Sequence, residues 1–317
     1  MRYALNEKYQ EKREWRIIME NIARTDLALE RKEDVKEETL KGVIVETQNR
    51  PGKDIEKTTI IIENEEGEKA LGKPKGTYIT IESESLREFD EDYHRELSEE
   101  LRETLKSLLG GTKEILVVGL GNRQITPDAL GPFVVDNLFI TRHLNKEGIL
   151  NTYYDISAIA PGVMAQTGIE TGEIIKGVLK ESQAKALIVI DALAARNTER
   201  LNKTIQISDA GICPGAGIGN NRVPINKETM GVKVIAIGVP TVIAVPSIVN
   251  DSMGKMLEAL DRLDAKKVLK KFTEEERYRL ACEILEPYLS EMFVTPKNID
   301  EAVKRISYTI SEAINQM

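Results

Sequence analysis

The chain has 317 residues and a formal net charge of -8, with 41% hydrophobic and 30% charged residues. That hydrophobic fraction can build a sizeable core, and the length fits one large α/β domain. The acidic balance argues against non-specific nucleic-acid binding, which needs a basic face to displace counterions. A basic or neutral polypeptide stays open as a partner. The two cysteines, Cys213 and Cys282, show no CxxC spacing and no disulfide framework, so a reducing, intracellular setting is expected. The first thirty residues carry charges throughout, without an apolar run of signal-peptide length, and no segment has the apolar length to span a membrane. The expectation is a soluble cytoplasmic protein.

From Asn6 to Glu20 the chain is rich in Lys, Arg and Glu, with Trp15, Ile17, Ile18 and Met19 near the end. By pattern alone this is a surface helix or a frayed terminus. From Leu40 to Ser83, KGVIVETQ, EKTTIIIEN and GTYITIES alternate or cluster β-branched residues, and Gly, Pro and Asn separate them. This predicts a small antiparallel β region. A helix follows: Asp90 can cap it, Leu97, Leu101, Leu105, Leu108 and Leu109 form one apolar face, and Gly110 and Gly111 stop it.

The next unit differs. Ile115 to Val118 is a continuous apolar run that opens into Gly119-Leu120-Gly121-Asn122, and a helical pattern runs from about Thr126 through Leu144. A second run, Ala186 to Ile190, ends in Asp191. A third, Val232 to Ile237, ends in Gly238-Val239-Pro240. Short buried strands alternating with helices predict an α/β fold with a mostly parallel central sheet sandwiched by helices. In such sheets the active crevice lies at the carboxyl ends of the strands. From Ser252 onward the pattern is helical, through Met256, Leu257, Leu260 and Leu263, then Tyr278, Leu280, Ile284 and Leu285, and finally Ile299 to Ile314.

Two acids stand at these strand ends. Asp191 follows AKALIVI, and Asp128 sits in the first helical turn after Thr126 and Pro127. Taken singly, Asp128 can complement a helix dipole and Asp191 can anchor a loop. Taken together they suit acid–base hydrolysis. Two neighbouring carboxylates do not both ionise readily, so one keeps a proton. The ionised group takes a proton from water, and the protonated one polarises a carbonyl or donates to the leaving nitrogen. The loop Gly211 to Arg222 brings Gly215, Gly217 and Gly219 together. It can bring backbone N–H groups close to an extended peptide or an oxyanion, or be a flexible surface loop. Gly119, Gly121 and Asn122 are expected to shape the crevice floor around Asp128. Asn122 can bond a substrate carbonyl or pin its own turn.

Other chemistries fit poorly. Gln124 occupies the third-glycine place of a dinucleotide fingerprint. There is no phosphate loop, HExxH, GxSxG or Asp-Thr-Gly. His94 and His143 are the only histidines, and Cys213 would need one of them to form a dyad.

The runs RTDLALE, GLGNRQITPDALGP, ALIVIDALAAR and GICPGAGIGNNR resemble, in that order, the germination protease family. The resemblance covers nearly the whole chain. It implies a self-processing, atypical aspartic endopeptidase whose substrates are small acid-soluble spore proteins, degraded during germination. It also implies a homotetrameric zymogen in the forespore and spore core that removes its own N-terminal segment as the spore acidifies. Carried onto this chain, Asp128 and Asp191 are the catalytic pair, residues 1–23 are a propeptide cleaved within Met19 to Ala23, and residues 24–317 form one peptidase domain. The hydrogenase maturation endopeptidases look distantly similar. They add a histidine ligand to the two acidic positions, and no histidine follows His143 here. The expectation is therefore a metal-free pair with no cofactor, and a metal-dependent peptidase is the alternative.

Overall fold

The computed structural model describes residues 25–33, 35, 40–50, 54–87, 91–215, 223–262, 285, 289 and 292–317. The segment 1–23, Asp90, Gly217, Gly219, Cys282 and the helical run through Tyr278, Leu280 and Ile284 lie outside them. The strands are β1 (Val43–Asn49), β2 (Glu56–Ile62), β3 (Gly76–Glu82), β4 (Glu114–Gly119), β5 (Asp155–Ile159), β6 (Ala186–Ala195), β7 (Thr204–Ser208), β8 (Lys233–Ala244) and β9 (Phe293–Val294). They form one sheet in the order β1-β2-β3-β7-β8-β6-β4-β5, with β9 added to β8. The expected β region is its antiparallel wing, β1 to β3, which joins through β7 to the parallel strands β8, β6, β4 and β5.

The main helices are α1 (Ala28–Glu33), α2 (Glu65–Leu71), α3 (Glu91–Leu109), α4 (Leu130–Asp136), α5 (Thr171–Ser182), α6 (Val245–Arg262) and α7 (Ile299–Asn315). Along β6 the side chains alternate between two cores. Ala186, Ile188 and Ile190 face one that contains Leu101 and Leu105 of α3, Val134 of α4 and Ile306 and Ile310 of α7. Leu187 and Val189 face another with Ile175 and Leu179 of α5. Burial on both faces is why the parallel strands read as unbroken apolar runs. The buried Glu100 on α3 ties that helix to the antiparallel wing, accepting from Lys57 at 2.9 Å and from Arg50 at 2.6 Å. Burial works against this carboxylate, but the two cations together hold it below the usual range.

Four expectations change. The helix expected from Thr126 to Leu144 is broken into a 3-10 turn at Thr126–Asp128, α4, and a short helix at Arg142–Lys146. Thr141 causes one break by turning to β5, where its N–H donates to Ile156 and its hydroxyl to Tyr154. Neither β6 nor β8 ends where its apolar run ends. β6 continues through Asp191 to Ala195, and β8 continues through Pro240 to Ala244. The two stay paired with a register shift between Leu193 and Ala194, where Thr241 is the extra residue. Asn64 to Gly67, a separator between two of the β-branched runs, opens helix α2: the Asn64 side chain caps it and Gly72 closes it in the left-handed region. The helix expected from Ser252 begins at Val245.

A close backbone approach fixes α4 on β4. A Cβ at Gly119 would overlap the Gly131 carbonyl, and one at Gly131 would meet the Leu120 backbone. Gly177, on the exposed side of α5, has open space around it. Gly119→Ala should therefore destabilise the fold by about 2 kcal/mol or more, and Gly177→Ala should stabilise it by about 0.5–1 kcal/mol. Urea unfolding of both variants checks this pair of signs. Equal, small effects would contradict the packing described.

Candidate active site

The site begins where β4 stops. Leu120 still donates its N–H to Ile190 at 2.8 Å, and then the chain turns back on itself. Gly121 makes that turn at φ +108°, and any Cβ there would overlap the Asp128 carbonyl. The Asn122 N–H donates to the Asp128 carboxylate at 2.7 Å, and the Asp128 N–H donates to Ile125 at 2.8 Å. The Asn122 side chain is used inside its own turn and by a neighbour: its oxygen accepts from Gln124 N–H at 3.0 Å and from the Gln166 amide at 2.9 Å. The buried Thr241, the extra residue of the β8 bulge, donates its hydroxyl to Pro127 at 2.7 Å. That bond ties the Asp128 turn to the extended end of β8.

Asp191 is buried within β6, opposite Gly238 of β8. Its carboxylate accepts the Ala192 N–H at 3.0 Å. Asp128 and Asp191 line one cavity of about 410 Å³, together with Asp26, Cys213, Gly215 and Thr241. Gly119 packs on Gly131 and Gly121 on Asp128, but neither glycine nor Asn122 is among the residues that line the cavity. A groove of similar size, about 430 Å³, surrounds Arg200. There the arginine is engaged by Glu33 at 2.6 Å and Glu82 at 3.3 Å, away from the two aspartates.

Asp26, within RTDLALE, also lines the cavity of Asp128 and Asp191, and no sequence pattern marks it. Its N–H donates to Ala194 at 3.3 Å, and its carboxylate accepts the Ala194 N–H at 3.0 Å. Its carbonyl accepts from Lys73 at 2.9 Å and Gln206 at 3.1 Å. A smaller cavity of about 180 Å³ shares Asp26, Leu193 and Cys213 with the first. The Asp26 residue is open to these cavities, yet its carboxyl is closely surrounded. Burial raises that carboxyl above its usual range, against the charges of Lys73 and Arg31. Burial likewise lowers the Lys73 ammonium, opposed by Asp26. Burial and the charge of Asp26 push the Cys213 thiol up, away from the reactive thiolate.

Neither histidine lines the cavity. His94 bonds Thr309 at 2.6 Å between α3 and α7, and His143 is exposed in its short helix. Among the described residues, no group of three His, Cys, Asp or Glu side chains is placed to hold a metal ion, and no helix is long and apolar enough to cross a membrane.

Fold and cleft together define an α/β protein with an acidic cavity at the point where β4 stops and the pair β6 and β8 continues. Residues 21–267 match the model of a peptidase family described as germination protease. Proteins named germination protease from Caldanaerobacter subterraneus and Clostridium tetani are 45% and 44% identical to this chain, each over 92% of it and 93% and 94% of their own lengths. The one from Priestia megaterium is 40% identical over 92% of each chain. A [NiFe] hydrogenase maturation protease from Thermococcus kodakarensis matches 67% of this chain and 98% of its own, at 15% identity and a TM-score of 0.35. The chain belongs to the germination protease family and is a protease.

The raised Asp26 carboxyl gives a signed pH dependence. Its contribution to stability is fully present below the unfolded carboxyl value of about 3.9 and is lost as pH rises through the higher folded value. Asp26→Asn keeps an oxygen for the Ala194 N–H and removes that slope. Thermal unfolding from pH 4 to 7 should show the variant gaining on the wild type as pH rises. A constant difference would contradict the assignment.

Proposed function

We propose that this protein is a self-processing endopeptidase that degrades small acid-soluble spore proteins during germination, with Asp128 and Asp191 activating water. The observation that carries the reading is the presence of both carboxylates on one cavity, in a chain of this family. One carboxyl keeps a proton and polarises the scissile carbonyl, and the other takes a proton from the attacking water. Protonation of the leaving nitrogen completes hydrolysis without a covalent intermediate. The apparent pKa values belong to the pair, so acid and base are not divided between the two. Asn122 and Thr241 act through the Asp128 turn as positioning residues. Gly215, with Gly217 and Gly219 in the same loop, supplies backbone to the substrate wall, above the turn of Gly119 and Gly121.

The same reading makes residues 1–23 a propeptide, removed by cleavage within Met19 to Ala23, and residues 24–317 one peptidase domain. The active form acts in the forespore and spore core, assembled as a homotetramer. No cofactor enters the mechanism.

Cleavage of a small acid-soluble spore protein by the purified chain tests the reading. Asp128→Asn and Asp191→Asn should each lower kcat/KM by about a hundred- to ten-thousand-fold. Cys213→Ala and added chelator should leave it within about threefold, smaller than any general acid–base contribution. Full activity in either Asn variant removes that aspartate from the mechanism. Loss of activity to chelator sends the chemistry to a metal.

A further inference from the structure

Up to Ile190, β6 has β8 on one side and β4 on the other. β4 ends at Gly119, and the Leu120 N–H makes the last bond on its side. Beyond that point, among the described residues, β8 alone stays paired with β6. Alternate residues of a strand turn their N–H and C=O to the same side. Ile190, Ala192 and Ala194 therefore share the side that β4 has left.

Ala194 is already taken on that side. Asp26 donates its N–H to the Ala194 carbonyl, and its carboxylate accepts the Ala194 N–H. A few residues on, the Glu30 carboxylate accepts the N–H groups of Arg196 and Asn197, both at 2.9 Å. The contacts advance together along both chains, so the segment from Asp26 to Glu30 runs beside β6 and parallel to it. This edge already accepts one main-chain N–H from outside the sheet, that of Asp26, which sits in a bend just before helix α1.

Ala192 lies between the two occupied positions. Its N–H is satisfied by the Asp191 carboxylate. Its carbonyl lies on the open side, and the residue lines the cavity that holds Asp128 and Asp191. A strand edge of this kind is a ready template for another backbone. We infer that the cleft binds its polypeptide in an extended conformation against the open edge of β6, with one substrate N–H donating to the Ala192 carbonyl and Asp26 closing the far end. The ligand class is an extended main chain of any sequence, and its register is set between Leu120 and Asp26. A peptide unit held there lies beside Asp191 in the cavity that Asp128 also lines, where its carbonyl meets both carboxyls. The inference rests on the peptidase reading above, since the backbone that fills the edge is the one to be cut.

The test uses the full-length chain and a synthetic peptide with this chain's own residues 15–28. The peptide is made unmodified and with a single N-methyl group placed in turn at each residue from 19 to 25. Binding is followed by calorimetry and hydrolysis by mass spectrometry. Methylation at one position should weaken binding by about tenfold or more. The residues directly before and after it, whose N–H groups point away, should change binding by less than about twofold. No sensitive position, equal losses at consecutive positions, or failure of the unmodified peptide to bind would each overturn the edge. Hydrolysis with no sensitive position would overturn the edge and leave the peptidase reading standing. One sensitive position without hydrolysis would keep the edge and remove the self-cleavage proposed within Met19 to Ala23.

Discussion

The site depends on β6 and β8 continuing as a pair after β4 has stopped. The continuing ladder holds Asp191 inside a strand, in a rigid element. It also carries Thr241 out to the Pro127 carbonyl, and so fixes the turn that presents Asp128. The missing neighbour leaves the space that becomes the cavity. Gly238 serves the same ladder from the other side: a Cβ there would strike Leu193, which lines the cavity wall.

The three acids of the cavity are held by one device. Asp128 accepts the Asn122 N–H, Asp191 accepts the Ala192 N–H, and Asp26 accepts the Ala194 N–H, at 2.7, 3.0 and 3.0 Å. A main-chain donor orients a carboxylate without adding a side chain to the cleft, and it favours the charged form. At Asp26 burial still prevails and the carboxyl is raised. Asp26 is thereby part of the cavity wall. Glu30, fully buried and bonded to two main-chain N–H groups, anchors the segment from Asp26 to Glu30 beyond the cleft.

Much of this was legible in the sequence because burial leaves a pattern. The β-branched runs at 43–49, 56–62 and 76–82 gave the antiparallel wing, and the unbroken apolar runs gave the parallel strands covered on both faces. The leucine stripe of α3 and the span of α7 were equally clear. The extensions of β6 and β8 were hidden because Ala-Leu-Ala-Ala has no strand character and Pro240 argues against a central strand. Pro240 is tolerated beside the bulge, where it needs no N–H and its carbonyl accepts from Asn202. Helix α2 was masked by Asn64 and Gly67, which are turn residues as often as caps. Asp128 and Asp191 could be singled out from their strand ends, but Asp26 reaches the cavity from 168 residues away in sequence, and no local spacing shows that contact.

If Asp128 and Asp191 act as one coupled pair, the charge of each shifts the titration of the other. Carbon-13 labelling of the aspartate carboxyls, titrated by NMR in wild type and in Asp128→Asn, measures the coupling directly. The account predicts two separated steps in the wild type, and a shift of the Asp191 step by more than about one pH unit once Asp128 is neutral. An Asp191 titration that is the same in both proteins would contradict it.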